Sequence, residues 1–202
     1  MTHTSLPLLH LPSPNWDWSA ITRHWVTDDP YQPEPGTEEY YRVKHAVAVF
    51  TQAESICEIG VRAGYSAAAF ITAGYATQYT GIDKDMGTDG GVQGYVEHAT
   101  RTLQHYPDVE SVILIRDSQT IDPYEFSSFD LLHVDGDHSY QGAFNDVLLG
   151  LRSSAKFVLV DDVDMMPDVS RGTMDALARV PAKQAWYVPD GGYRGNVLIQ
   201  TR

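Results

Sequence analysis

Carboxylates and imidazoles gather at two places in this chain. The stretch "DLLHVDGDHSYQGAFNDV" carries an apolar run, Leu131 to Val134, straight into Asp135, Gly136, Asp137 and His138. Further on, "KFVLVDDVD" ends a second apolar run in Asp161 and Asp162, with Asp164 beyond as a weaker candidate. If both runs are strands, Asp135, Asp161 and Asp162 offer carboxylate oxygens from neighbouring strand ends. Such hard donors suit Mg²⁺, which keeps open positions for water or a substrate oxygen. An acidic loop pair without an ion is the plainer alternative. His138 follows three residues after Asp135, and an unperturbed imidazole titrates at about 6.5, close to a general base's working range. Capping the next helix is the competing role for it. Asp137 is expected to orient His138 or cap that helix. His133 lies inside the apolar run and is read as structural.

The cluster His133, Asp135, Asp137 and His138 also resembles the ligand set of a metal hydrolase. No histidine follows His138, however. The rest of a dinuclear zinc site would then have to come from aspartates alone, which disfavours that reading.

The elements that must position these residues alternate. Strand patterns fall on "SICEIGV", "TQYTGID", "SVILIRD", "FDLLHVD" and "KFVLVDD". Helix patterns fall on "YSAAAFITAGY", "GYVEHATRTLQHY", about residues 139–151 and about residues 169–179. "KQAWYVP" and "GNVLIQT" flank "DGGYR" as a closing antiparallel pair. The fold class expected is α/β, a Rossmann-like doubly wound, mostly parallel sheet with a C-terminal antiparallel hairpin. Ahead of it, "PEPGTEEYYRVKHAVAVFTQA" reads as a helix with Thr37 as N-cap and Glu38 and Glu39 in the first turn. Residues 1–36 read as an irregular arm with a short helix near Trp18–Val26, and as a cover for an acceptor site. Residues 37–202 form the domain proper. Trp16, Trp18, Trp25, Tyr40, Tyr41 and Tyr193 are candidates for lining that site, although packing is the commoner fate of such residues.

Every predicted parallel strand ends in or beside an acid: Glu58, Asp83, Asp117, Asp135, and Asp161 with Asp162. In a parallel sheet these positions share one crevice, where α/β folds take their ligands. The first turn, "CEIGVRAGYS", departs from the dinucleotide fingerprint by placing Glu58 where the first glycine belongs, followed by Gly60, Ala63 and Gly64. A carboxylate there repels a pyrophosphate and favours a cationic ligand, such as an amino-acid ammonium near a sulfonium. Gly60 and Gly64 permit close backbone approach. Asp83 stands where an acid commonly holds ribose hydroxyls.

"EIGVRAGYS" followed by "GID" resembles motif I and the ribose-binding acid of class I S-adenosylmethionine-dependent methyltransferases. "RDSQTIDP" resembles their adenine-contacting loop. "HVDGDHSYQGAFNDV" with "VLVDDVD" is similar to the metal-dependent small-molecule O-methyltransferases of the macrocin and mycinamicin sugar type, and more distantly to the catechol type. The resemblance spans roughly residues 50–200. It implies S-adenosylmethionine held by Glu58, Gly60, Gly64, Ser66, Asp83, Asp117, Ser118 and Asp135, with Gln119 beside the adenine. It implies Mg²⁺ on Asp135, Asp161 and Asp162, His138 as general base, and a hydroxyl of a natural-product-like small molecule as acceptor. The glycine-rich "KDMGTDGGVQGY" becomes a loop at the cofactor edge. A non-catalytic S-adenosylmethionine or nucleotide binder would keep Glu58, Gly60 and Asp83 but need neither His138 nor the aspartates.

Composition narrows the partners. The 202 residues suit one domain, and 43% hydrophobic with 20% charged residues is ordinary for a globular protein. A formal net charge of −13 argues against a nucleic-acid partner. No apolar run is long enough to cross a bilayer, and the proline-broken N-terminus does not read as a signal peptide. A single cysteine, Cys57, fits a reducing cytoplasm. A homodimer is the base-rate expectation.

Overall fold

A computed structural model describes residues 2–26, 36–87, 92–123, 129–192 and 194–202. Tyr193 and positions 88–91 of the glycine-rich stretch lie outside the described residues.

Seven strands form one sheet in the order β3-β2-β1-β4-β5-β7-β6. They are β1 (Ser55–Ile59), β2 (Gln78–Asp83), β3 (Glu110–Ile115), β4 (Leu131–Val134), β5 (Phe157–Val160), β6 (Gln184–Val188) and β7 (Asn196–Gln200). The first five pair in parallel, and β7 runs antiparallel between β5 and β6. This is the expected α/β architecture with its closing hairpin. The central strands read as unbroken apolar runs because helices cover both faces of a parallel sheet. All four residues of β4 are buried, as are the last three of β5.

The helices are α1 (Ser19–Thr22), α2 (Thr37–Thr51), α3 (Tyr65–Ile71), α4 (Tyr95–Leu103), α5 (Tyr140–Arg152) and α6 (Pro167–Arg179). α5 starts sharply because the Ser139 hydroxyl accepts the Gly142 N–H at 3.0 Å, an N-cap bond. At α2 the cap is not Thr37. Gly36 takes a left-handed conformation at φ 93°, and its carbonyl accepts the first helical bond from Tyr40. Thr37 is already helical, and glycine makes the turn that a side chain would strain.

The described residues of the arm pack against the domain. Leu9 donates to the Tyr187 carbonyl and Tyr187 to the Pro7 carbonyl, both at 2.9 Å, so the arm covers part of the β6 edge. Trp18 and Trp25 lie about 6.0 Å from Tyr41, and Trp25 stacks on Tyr65 at 4.3 Å. These tryptophans form an aromatic cluster over α2 and α3.

The strand order reverses between β1 and β4, where α/β sheets open a crevice. There the β1 turn presses on the end of β4. Gly60 has φ +87°, and a Cβ placed on it would stand 1.9 Å from the Asp135 carbonyl oxygen. Gly60→Ala is therefore expected to destabilise the fold by about 2 kcal/mol or more, read as a lowered urea midpoint. An unchanged midpoint would show that the two loops are not so tightly apposed.

Candidate active site

Four carboxylates and four cations meet at the ends of β1, β4 and β5. Glu58 is fully buried on β1, directly opposite His133 on β4. One of its oxygens accepts from His133 Nδ1 at 2.8 Å, and the other accepts the Tyr79 hydroxyl. His133 Nε2 stands 3.6 Å from Asp161 Oδ2, an ion-pair distance too long for a hydrogen bond. Asp161 Oδ2 also takes the Lys44 ammonium at 2.7 Å and the Tyr40 hydroxyl at 2.5 Å. The same hydroxyl reaches Asp135 Oδ2 at 3.2 Å. His138 Nε2 lies 3.4 Å from Asp135 Oδ1 and 3.6 Å from Asp162 Oδ2. Arg194 approaches Asp162 Oδ1 at 3.4 Å. Lys44 and Arg194 stand over the Tyr40 ring, 3.4 and 4.7 Å from its centroid.

The pairings set the protonation states. Burial works against the His133 charge, but the Asp161 and Glu58 carboxylates raise its pKa to about 9. For His138 the bond to Asp135 is the largest influence, and its pKa also rises to about 9. Against the cost of burial, Lys44 and His133 hold Asp161 well below the usual carboxylate range. Asp162 is pushed the other way, to about 7, by burial and by the Asp161 charge beside it.

The sequence-predicted residues divide. Asp135, Asp161, Asp162 and His138 come together. Asp137 accepts the Ser139 N–H at 2.8 Å and so shapes the start of α5. Glu58 faces the core, with both oxygens engaged. Asp83 Oδ2 accepts the Val61 and Arg62 N–H groups, each at 2.9 Å, which fastens the glycine turn to the end of β2. Its Oδ1 accepts from Asp85 at 2.7 Å. Gly64 caps α3 with φ 82°, and Ser66 lies buried in the first turn. Asp117 accepts the Gln119 N–H at 3.0 Å and caps the short turn that holds Ser118. Gln119 in turn donates to the buried Asp146 at 2.8 Å.

Lys44, Arg194 and the Tyr40 hydroxyl were not anticipated as parts of this network. A signal for Lys44 existed. Tyr40, Tyr41, Lys44, Val47 and Ala48 follow helical spacing and are all buried, so a lysine stood in an apolar stripe. A charge there needs a buried partner.

With this geometry in place, comparisons define the class. A methyltransferase domain family model matches residues 57–163, and the chain belongs to that family. Solved structures share the fold. An O-methyltransferase from Bacillus cereus, in complex with SAH, aligns at TM-score 0.60 and 17% identity over 85% of this chain and 83% of that one. TomG from Streptomyces achromogenes, an O-methyltransferase involved in tomaymycin synthesis and bound to SAM, aligns at 0.59 and 21% over 90% and 86%. The SAH-bound methyltransferase PaMTH1 from Podospora anserina aligns at 0.55 and 17% over 91% and 88%. No curated protein matches the sequence. The particular fold is that of the class I methyltransferases, and the acid-rich crevice lies at the strand ends where that fold opens.

The His133 pairing has a pH signature. Its proton is held up to about pH 9 in the folded chain, against 6.5 for an ordinary imidazole. The stabilisation is complete below the lower value and is lost as pH rises through the higher one. Melting temperature is expected to fall across that window, and His133→Asn to flatten the fall. An equal slope in both proteins would remove His133 from the network.

Proposed function

We propose that this chain transfers a methyl group from S-adenosylmethionine to a hydroxyl of a small, natural-product-like acceptor. The observation that carries the reading is the convergence of His138, Asp135 and Asp162 beside the turn between β1 and α3. TomG's part in tomaymycin synthesis supports the acceptor class.

Methyl donation from the cofactor leaves the chain three tasks. The first is to bind. Gly60, Gly64 and Ser66 give the turn its close approach, and Asp83 retains lone pairs for ribose hydroxyls beside the N–H groups it already holds. Ser118 and Asp117, with Gln119, supply polar atoms for the adenine. Glu58 has no exposed surface and its oxygens are on His133 and Tyr79, so it supports β1 rather than touching the cofactor, and Asp135 would serve the methionine moiety.

The second task is to remove a proton. His138 Nε2 is the acceptor for the hydroxyl proton, and its side chain is 24% exposed, open to the crevice. The third is to orient the acceptor. Mg²⁺, when bound, supplies positive charge that lowers the pKa of a nearby hydroxyl. The donor set fits it in part: ligand atoms of Asp135, His138 and Asp162 lie within 4.8 Å of one another. Asp135 and Asp162 are the hard oxygen donors of that group and would hold the ion. Among the described residues no helix is long and apolar enough to cross a membrane.

A methyl-transfer assay with a panel of hydroxylated small molecules tests the reading. His138→Ala is expected to lower kcat by roughly 100- to 10,000-fold while S-adenosylhomocysteine affinity stays unchanged. Unchanged turnover would remove His138 as the base. The rate is expected to climb with pH above neutrality, because His138 holds its proton to about 9 in the chain alone. A flat profile would contradict that assignment. EDTA should abolish activity and Mg²⁺ restore it; indifference to the chelator would exclude the ion.

A further inference from the structure

We propose that the Lys44 ammonium is the resident cation of the Asp161 corner, so that a divalent ion engages Asp135 and Asp162 but not Asp161. The inference rests on the metal reading above and gives the reason Asp161 drops out of the three-aspartate set that the resemblance implies.

Lys44 has no exposed surface. Its Nζ lies 2.7 Å from Asp161 Oδ2, 3.2 Å from Asn196 Oδ1 and 3.4 Å from the centre of the Tyr40 ring. Contacts from β7, α2 and the end of β5 thus fix the ammonium in place. Asp161 is equally committed. Its Oδ2 receives Lys44 and Tyr40 and faces His133, while its Oδ1 accepts the Asp162 N–H at 3.0 Å. Its side chain is 0% exposed. A divalent ion at that oxygen would meet a fixed ammonium at contact distance, a repulsion that burial strengthens. It would also have to displace Tyr40.

Asp135 and Asp162 differ. Their contacts with cationic side chains are 3.4 to 3.6 Å long, looser than the Lys44 pair. The Asp135 side chain is 19% exposed, so an ion arriving from the crevice meets it first. A second grouping of His133, Asp135 and Asp161 is equally compact. It requires the buried His133, whose Nδ1 is spent on Glu58. The ion is thus left with two protein carboxylates, and water or acceptor oxygens complete its shell. That is the pattern of a Mg²⁺ site rather than of a closed structural metal site.

Mn²⁺ serves as the probe, its free concentration followed by electron paramagnetic resonance during titration of the full chain. Four proteins are compared: wild type, Asp162→Asn, Lys44→Met, and the double variant Lys44→Met with Asp161→Asn. The double variant removes both buried charges together and keeps the fold testable where a single change leaves one charge unpaired. Wild type and the double variant are expected to bind Mn²⁺ alike, and Asp162→Asn to weaken binding about tenfold or more. Lys44→Met, where it folds, should bind about tenfold more tightly and gain more thermal stability from Mn²⁺ than wild type, because Asp161 then lacks a cation. Loss of binding in the double variant to the extent seen in Asp162→Asn would overturn the inference and leave the metal reading standing. Absence of binding in wild type would overturn both.

Discussion

Four carboxylates lie at the ends of three adjacent strands, and three of them are almost wholly removed from water. Burying an isolated carboxylate costs several kcal/mol or more, so each needs a cation or donors placed before the chain can close around it. The structure meets that constraint pair by pair: Glu58 with His133, Asp161 with Lys44, Asp135 with His138, and Asp162 with Arg194. The cations come from β4, α2, the β4–α5 loop and the segment before β7. The network therefore ties those elements to the end of the sheet. Tyr40 joins it twice, through its hydroxyl to Asp135 and Asp161 and through its ring to Lys44 and Arg194.

The network has an inner and an outer layer. His133 and Lys44 have no exposed side-chain surface, whereas His138 is 24% and Arg194 31% exposed. The inner pair fixes the geometry of the strand ends. The outer pair faces the crevice, where a ligand can replace one contact with another. The glycine turn belongs to the same assembly: Asp83 holds its backbone from β2, and the Asp135 carbonyl closes against Gly60. A shift in one loop is felt in the other, so the glycine-turn half and the acid half of the crevice share one register.

Much of this was legible in the sequence. Alternating strand and helix patterns, with an acid at each parallel strand end, located the sheet, its hairpin and the crevice. Asp135, His138, Asp161 and Asp162 followed from their place after apolar runs. The cap of α2 was misplaced, because Thr37 has the right chemistry but Gly36 has the conformation the turn requires. The cations were harder to see. Arg194 is separated by more than thirty positions from the carboxylate it pairs with, and only the β5–β7 pairing brings them together. Lys44 stands in an apolar stripe, and nothing in its own helix shows the carboxylate that pairs with it. His133 was read as structural, and its burial between Glu58 and Asp161 agrees with that, but a charged role is not visible without both partners.

Calorimetric titration of the folded chain with S-adenosylhomocysteine tests the central claim most directly, that the crevice between the β1 turn and the acids of β4 and β5 holds the methyl-transfer cofactor. The result expected is saturable binding of one equivalent, with or without divalent ions, because Asp83 and the Ser118 loop, the proposed ribose and adenine contacts, are not among the proposed metal ligands. The contradicting result is no saturable heat from folded protein at ligand concentrations up to about 1 mM, which limits any binding to weaker than about −4 kcal/mol.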